Sequence, residues 1–294
     1  MVIYRMLALN IDGTLLQSNG RLSRQTRLAV EYVLEKGIHV TLVTSRSFPS
    51  AQKVAKALKL EDYLIAHQGA YIARQGKDNE EAETLLVKRI DENTTLEIVE
   101  LLEGFHCQMR LVHEKYSLAN KVKFKQNLLA KTIVNSGDPL FYVHQFVDSI
   151  SEKLKEEPCT PPKIEVYFNN HKELTDVAQL IEGMFSEVRV IQVNHDRMDI
   201  VPYSASKLNG LLFLANHHGI SRKEIVVIGD SEDDKEMIAA AGLGVAMGNS
   251  PPEVKEAADW ITRTNDGYGV AYTIRELFRK QPKIEFLRKM NIIK

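Results

Sequence analysis

The stretch LALNIDGTLL, residues 7–16, is an apolar run that ends in an acidic, glycine-containing turn. A buried strand followed by such a turn is typical of α/β proteins, whose open parallel sheets bind ligands beyond the carboxyl ends of the strands. Asn10 stands at this strand end, and Asp12 follows two residues later. The residue types at these two positions therefore decide what chemistry the strand end can perform.

Apolar strands and amphipathic helices alternate near both ends of the chain, and this pattern predicts a parallel sheet covered by helices on both faces. The strands of this sheet are predicted at residues 4–9, 38–44, 63–66, 224–228, 244–247 and 260–261. The sequence between them contains the Pro-rich break EEPCTPPKIEVYF and an uncertain region at 121–139, and it predicts a compact α+β module. We therefore expect an α/β core formed by residues 1–83 and 192–294, with an inserted cap at 84–191.

The composition favours a small soluble ligand over a nucleic acid or a membrane as the partner. The 294-residue chain has a formal net charge of −1, so no overall field would attract a polyanion. No apolar run approaches the ~20 residues of a membrane span, and the N-terminal run is too short for a secretory signal. We therefore expect a cytoplasmic protein. The lysines that begin at Lys115 form a local basic stretch, which without a motif is more typical of a solvated surface.

Neither the cysteines nor the histidines show the spacing of a metal site. Cys107 and Cys159 have no CxxC spacing, so reduced thiols are expected. His217 and His218 lie near the end of a predicted helix, but the chain has no HxH or HExxH pattern. A zinc site is therefore not predicted.

Polar residues follow several predicted strand ends and helix starts. These segments are NIDGT (Asn10–Thr14), TSR (Thr44–Arg46), Lys207 after PYSAS, and GDSEDD (Gly229–Asp234). Acidic groups suit a divalent cation, hydroxyl and backbone N–H groups bind phosphate oxygens, and an ammonium group adds positive charge. Together they are the groups that phosphoryl transfer requires.

Each of these signals also has a purely structural explanation. DGT and GDS are common turns, and Lys207 could be a solvated side chain. Thr44 or Ser45 could cap the helix that begins near Pro49, and the acidic residues at 232–234 could favour a helix N-terminus. The occurrence of all four segments in this order favours the functional interpretation.

Further motifs strengthen that interpretation. They are HQGAYI (His67–Ile72), MDIVP (Met198–Pro202), GVAMGNS (Gly244–Ser250) and ADWITRTNDGYGVA (Ala258–Ala271). With these motifs the sequence resembles the haloacid dehalogenase superfamily over almost its whole length, and within it the Cof-type phosphatases with a large α/β cap of the C2 type. The resemblance implies a Rossmann-like parallel-sheet core with an inserted α+β cap. It also implies Mg²⁺-assisted hydrolysis of small phosphorylated metabolites, such as sugar phosphates, through an aspartyl-phosphate.

The resemblance assigns a role to each site residue. Position 10 is the nucleophile, Asp12 is the general acid and base, and Lys207 neutralises the nucleophile and the phosphate. Phosphate is expected to contact Thr44, Ser45, Lys207 and Asp233. Mg²⁺ is expected to be bound by Asn10, the Asp12 carbonyl, Asp230 and Asp234.

Three residues depart from the family pattern. Asn10 replaces the nucleophilic aspartate, Asp233 replaces an asparagine that contacts phosphate, and Ser45 replaces a glycine. A neutral amide is a poor nucleophile, and loss of the nucleophile in other covalent mechanisms reduces the rate on the order of a millionfold. The exchange at positions 10 and 233 keeps the formal charge of the site but places a carboxylate where phosphate should bind. An engineered change would explain Asn10 but not Asp233.

Alternative functions therefore remain open from the sequence. The chain could be a phosphatase with impaired activity, in which Asp12 or Asp233 activates water. It could instead bind phosphorylated metabolites without hydrolysing them, in a regulatory or stress role. A third alternative is a phosphomutase, although such an enzyme would also need the missing aspartate.

Overall fold

The computed structural model of the protein describes residues 3–76, 81–121, 138 and 142–293. The strands are Met6–Leu9 (β1), His39–Leu42 (β2), Leu64–Ala66 (β3), Tyr71–Arg74 (β4), Glu83–Val87 (β5), Gln108–Val112 (β6), Tyr116–Asn120 (β7), Val143–Val147 (β8), Lys163–Tyr167 (β9), Val188–Gln192 (β10), Arg197–Pro202 (β11), Ile225–Gly229 (β12), Leu243–Ala246 (β13) and Trp260–Ile261 (β14). The α-helices are Arg24–Glu35, Phe48–Ala57, Glu92–Glu103, Ile150–Glu156, His171–Met184, Lys207–His217, Lys235–Ala240, Pro252–Glu256, Gly269–Phe278 and Ile284–Lys289.

A parallel sheet of strand order β14-β13-β12-β1-β2 forms the centre of the α/β core. The side chains of β1 are buried and alternate between the two faces of this sheet. Leu7 and Leu9 pack into one apolar cluster, whereas Met6 and Ala8 pack into another. Because successive side chains of a strand point to opposite faces, this division shows that both faces are covered. The predicted α/β core and five of its six strands are confirmed. The strand predicted at 63–66 is β3, which belongs to a separate antiparallel sheet and meets the end of β2 only through an isolated bridge between Val43 and Ile65.

A six-stranded sheet of order β10-β11-β9-β6-β7-β8 forms the α+β part. Its neighbouring strands are antiparallel except for β7 and β8, and it shares a separate apolar core with the helices that begin at Glu92, Ile150 and His171. The sequence correctly predicted β6, β9 and β10 but missed β7, β8 and β11. The uncertain region at 121–139 lies almost entirely outside the described residues.

The strand pairing bears on the predicted boundaries of the cap. β5 pairs with β4, and together with β3 these strands form a small antiparallel sheet. β11 pairs with β9 and β10 of the six-stranded sheet. Residues 197–202, which the sequence analysis assigned to the core, therefore hydrogen-bond to strands of the cap. This pairing brings β11 beside β9 and β10, and the second boundary at 191 stays a prediction.

The carboxyl ends of β1, β2 and β12 lie side by side. Leu9, the last residue of β1, is in register with Leu42 of β2 and Ile228 of β12. The helix that begins at Lys207 starts at the same edge of the sheet, which we call the carboxyl edge. None of the helices in the described ranges combines the length and the apolar character needed to cross a membrane.

Candidate active site

The carboxyl edge brings the predicted site residues of separate segments together. The Asn10 backbone N–H donates to Ile228 O over 3.0 Å, so the end of β1 lies directly beside the end of β12. Because Asp230 follows β12, its carboxylate faces the Asn10 side chain, with Asn10 Nδ2 3.1 Å from Asp230 Oδ1. Register between parallel strands thus joins two segments that are more than 200 residues apart.

The Asn10 amide has a defined orientation. Its Oδ1 accepts a 2.8 Å hydrogen bond from the Ile11 backbone N–H. Its Nδ2 donates to Asp12 O at 3.1 Å, Asp230 Oδ1 at 3.1 Å and Asp234 Oδ2 at 3.0 Å. Rotating the amide by half a turn would place an NH₂ group against the Ile11 N–H, so that two donors would face each other. The backbone therefore fixes which end of the amide faces the carboxylates.

This orientation does not match the predicted magnesium site. The Asp12 carbonyl and the carboxylates of Asp230 and Asp234 are hard oxygen donors, which are the ligands that Mg²⁺ prefers. In the structure, however, these three residues receive the hydrogen bonds of Asn10 Nδ2, and an N–H donor cannot bind a cation. The only side-chain oxygen of Asn10 is bonded to Ile11. As arranged, the Asn10 amide rather than a cation satisfies these oxygens, and the role of Asn10 as a Mg²⁺ ligand stays a prediction.

Lys207 is buried between two carboxylates. Its Nζ lies 2.7 Å from Asp234 Oδ1 and 2.9 Å from Asp233 Oδ2. Burial alone would lower the pKa of Lys207, but Asp233 and Asp234 raise it above the usual range. Burial would likewise raise the pKa of Asp233, but Lys207 holds it below its usual value, so this carboxylate stays ionised. A phosphate group that used Lys207 would have to compete with both of its partners.

Asp230 has the opposite electrostatic environment. Burial and the negative charge of Asp234 raise the pKa of Asp230 to about 7, despite a 2.6 Å hydrogen bond from Thr14 Oγ1. The turn after β1 approaches Asp230 so closely that a Cβ atom at Gly13 would lie 2.0 Å from Asp230 Oδ2. Gly13 also has a φ of +67°, which side-chain-bearing residues rarely adopt. A glycine is therefore required at this position.

The carboxylate of Asp12 binds Arg46, whereas its backbone carbonyl accepts from Asn10. Arg46 Nε donates to Asp12 Oδ2 at 2.7 Å, and Arg46 Nη2 donates to Oδ1 at 2.6 Å. This bidentate pair engages both oxygens of the predicted general acid and base. The sequence analysis gave no role to Arg46, although it belongs to the TSR segment at the end of β2.

Thr44 and Ser45 also lie at the carboxyl edge, but neither caps the following helix. Ser47 does so, because its hydroxyl accepts from the Ser50 N–H. The Thr44 hydroxyl accepts a 3.1 Å bond from the Arg46 N–H, and the Ser45 carbonyl accepts a 2.6 Å bond from Lys163 of β9. The alternative that Thr44 or Ser45 serves as a helix cap is thereby excluded.

A small polar cavity separates these residues from the six-stranded sheet. Its volume is about 40 Å³, and its lining residues are Asp12, Ser45, Arg46, Ser47, Arg110, Asp138, Glu165 and Arg197. Arg110 and Arg197 both pair with Glu165, at 3.4 and 3.1 Å. Sequence reasoning missed these two cap arginines, because nothing in the local sequence marks β6 or β11 as facing the site. The cavity is too small for a sugar phosphate.

The parallel sheet, the acidic strand ends and the capping sheet together define the class of the protein as a haloacid dehalogenase-like hydrolase fold. Residues 7–274 match this family, and the chain belongs to it. The Bacillus subtilis stress response protein YhaX is 49% identical over 288 residues, which are 98% of this chain and 98% of that protein. Putative phosphatase YxeH of the same organism is 29% identical over 283 residues, 94% of this chain and 98% of that protein.

Solved structures show the same fold. A haloacid dehalogenase-like hydrolase from Bacteroides thetaiotaomicron superposes with a TM-score of 0.79. Its sequence is 24% identical, and the match covers 94% of this chain and 100% of that one. At this level of identity the likeness concerns the fold alone.

Proposed function

We propose that this protein binds small phosphorylated metabolites, such as sugar phosphates, and that its phosphatase turnover is lost or strongly reduced. The observation that carries this proposal is the orientation of Asn10. Its amide occupies the position of the nucleophile. Its NH₂ group donates hydrogen bonds to oxygens of Asp12, Asp230 and Asp234 that would otherwise attract a cation. A neutral amide has no charge with which to attack phosphorus.

The other carboxylates of the site offer no ready substitute for the nucleophile. A general base must have a free oxygen within reach of a water molecule. Both oxygens of Asp12 are bound by Arg46. Asp233 is bonded to Lys207 and accepts a further 2.9 Å bond from Gln68 Nε2. These contacts argue against a water-activating role for Asp233, which is buried, whereas the Asp12 carboxylate is held by Arg46 but stays open to solvent.

Membership of the family and the arginines around the polar cavity support a phosphorylated ligand. Arg46, Arg110 and Arg197 line the cavity, and guanidinium groups bind phosphate oxygens in bidentate geometry. Because the cavity is small, the cap must move away from Ser45 before a metabolite can enter. The relatives include a putative phosphatase and a stress response protein, which agrees with phosphorylated ligands and with a role in stress.

Four proteins test the loss of turnover: the wild type, Asn10→Asp, Asp233→Asn and the double variant. Hydrolysis of p-nitrophenyl phosphate is measured for each with Mg²⁺ present. We expect the wild type and Asp233→Asn to stay near background. The double variant should exceed the wild type by at least about a thousandfold, because it restores the nucleophile and removes a carboxylate that repels phosphate. Asp176→Asn, an exposed helix position, serves as the matched control.

Binding is tested separately by calorimetric titration of the wild type with inorganic phosphate and a panel of sugar phosphates. We expect at least one sugar phosphate to bind and Arg46→Met to weaken it. Robust hydrolysis by the wild type, lost in Asp12→Ala, would show that the chain is a working phosphatase. Failure of every ligand to bind would contradict the binding proposal even if the double variant regains activity.

A further inference from the structure

Three side chains that can bind metals meet at the opposite edge of the parallel sheet, which we call the amino edge. His39 opens β2, Asp62 precedes β3, and His218 follows the helix Lys207–His217. His39 Nδ1 lies 2.7 Å from Asp62 Oδ2, and His218 Nε2 lies 3.1 Å from Asp62 Oδ1. The ligand atoms of the three residues all lie within 4.8 Å of one another.

The backbone around these residues is well held. The His39 N–H donates to Arg5 O over 2.9 Å, and Arg5 Nη1 donates to Gly219 O over 3.0 Å. Arg5 is buried and therefore links the start of β2 to the residue that follows His218. The two imidazole rings are also in contact, with centroids 4.2 Å apart and planes inclined by 34°. The positions of both histidines are thus fixed before any ligand arrives.

We propose that His39, Asp62 and His218 bind a divalent transition-metal ion of the Zn²⁺ class. Two imidazoles and a carboxylate are a donor set that Zn²⁺ accepts, with a water molecule as the fourth ligand. Ligand atoms around a tetrahedral zinc ion lie about 3.4 Å apart, given bond lengths near 2.1 Å. Two of the present separations, 2.7 and 3.1 Å, are shorter than that value, and the third does not exceed 4.8 Å, so small side-chain rotations bring the three atoms to bonding distance.

The surroundings leave a coordination position open. A surface cleft of about 390 Å³ lies beside the two residues His39 and Asp62, so water can reach them. Glu61 and Lys59 also line this cleft, and the ammonium group of Lys59 is 2.8 Å from Glu31. The positive charge that Lys59 brings to the cleft is therefore partly neutralised.

This site is independent of the chemistry at Asn10. The helix that begins at Lys207 runs from the carboxyl edge to the amino edge and ends at His217. Its length separates the two sites by about 16 Å. The sequence gave no sign of the site, because its ligands are 23 and 156 positions apart and come together only through the fold.

Calorimetric titration with Zn²⁺ tests the proposal on tag-free protein that has been treated with EDTA and dialysed. We expect one ion per chain with a micromolar dissociation constant and a Zn²⁺-dependent rise in the melting temperature. His39→Gln and His218→Gln should each weaken binding at least tenfold. His217→Gln is the matched control, because this exposed neighbour lies outside the ligand set and should bind as the wild type does.

Two further measurements test the proposal even if a histidine variant fails to fold. The visible absorption spectrum of the wild type loaded with Co²⁺ depends on the ligand type and the coordination number. We expect a spectrum typical of nitrogen ligands and a low coordination number. Asp230→Asn should leave Zn²⁺ binding unchanged, which separates this site from the carboxyl edge. Absence of stoichiometric binding by the wild type, or unchanged affinity in folded His39→Gln and His218→Gln, would overturn the proposal.

Discussion

Asp230 lies at the carboxyl edge and Asp62 at the amino edge, and their surroundings move the pKa values of these two aspartates in opposite directions. Burial and the charge of Asp234 raise the pKa of Asp230 to about 7. Burial would also raise the pKa of Asp62, but hydrogen bonds from His218 and His39 hold it well below its usual range. The neighbours, rather than the residue type, decide whether each carboxylate carries its charge at neutral pH.

The difference shows how each edge balances its charges. At the carboxyl edge, Asp230, Asp233 and Asp234 share the ammonium of Lys207 and the amide of Asn10, so negative groups outnumber positive ones. At the amino edge, a single carboxylate lies between two imidazoles that are partly exposed. The carboxylates of the carboxyl edge therefore depend on hydrogen bonds and ion pairs within the protein. At the amino edge, water also solvates the charged and polar groups.

The largest effect is expected from Lys207→Met, which leaves Asp233 and Asp234 without their cation. Breaking a buried ion pair in this way costs about 3–5 kcal/mol, since the remaining charges stay buried. Urea unfolding at pH 7 with EDTA measures the loss. Lys235→Met is the control, because Lys235 is half-exposed and its ion pair within the described ranges is with Glu232, at 3.2 Å. We expect the control to change stability by less than about 0.5 kcal/mol. Equal losses of unfolding free energy in Lys207→Met and Lys235→Met would show that the buried ion pairs of Lys207 contribute no more than a surface ion pair.

A smaller, pH-dependent effect is expected from Asp230. Its pKa is raised in the folded protein, so its contribution to stability is fully present below about pH 4 and is lost as the pH rises through about 7. In EDTA, this group should make the wild type about 2 kcal/mol less stable at pH 8 than at pH 5. Asp230→Asn should remove this part of the pH dependence. Parallel pH profiles of unfolding free energy for the two proteins would refute the raised pKa.

Much of the fold could be predicted from the sequence, because the signals are local. The apolar runs of β1, β2 and β12 bury side chains on both faces of the parallel sheet. β11 was missed because its place in the six-stranded sheet depends on pairing with β9 and β10. Long-range pairing of this kind has no signature in the segment itself.

The site residues were predicted by position, but not by their contacts. The sequence locates Asn10, Asp12 and Lys207 at strand ends or helix starts, where parallel sheets bind ligands. It does not reveal that the Ile11 N–H orients the amide of Asn10, or that Arg46 binds both oxygens of Asp12. These contacts depend on side-chain directions that only the assembled fold determines.

The smallest effect is expected at the amino edge, from Asp62→Asn in metal-free protein. At pH 7 the loss should be about 1 kcal/mol, because the imidazole partners are partly exposed and the asparagine oxygen can still accept from the Tyr63 N–H. The low pKa of Asp62 means that its carboxylate contributes stability above about pH 4, and that this contribution is lost as the pH falls further. The gap between the two proteins in unfolding free energy should therefore narrow below about pH 4. A loss as large as that of Lys207→Met would show that the amino edge depends on its charges as strongly as the carboxyl edge does.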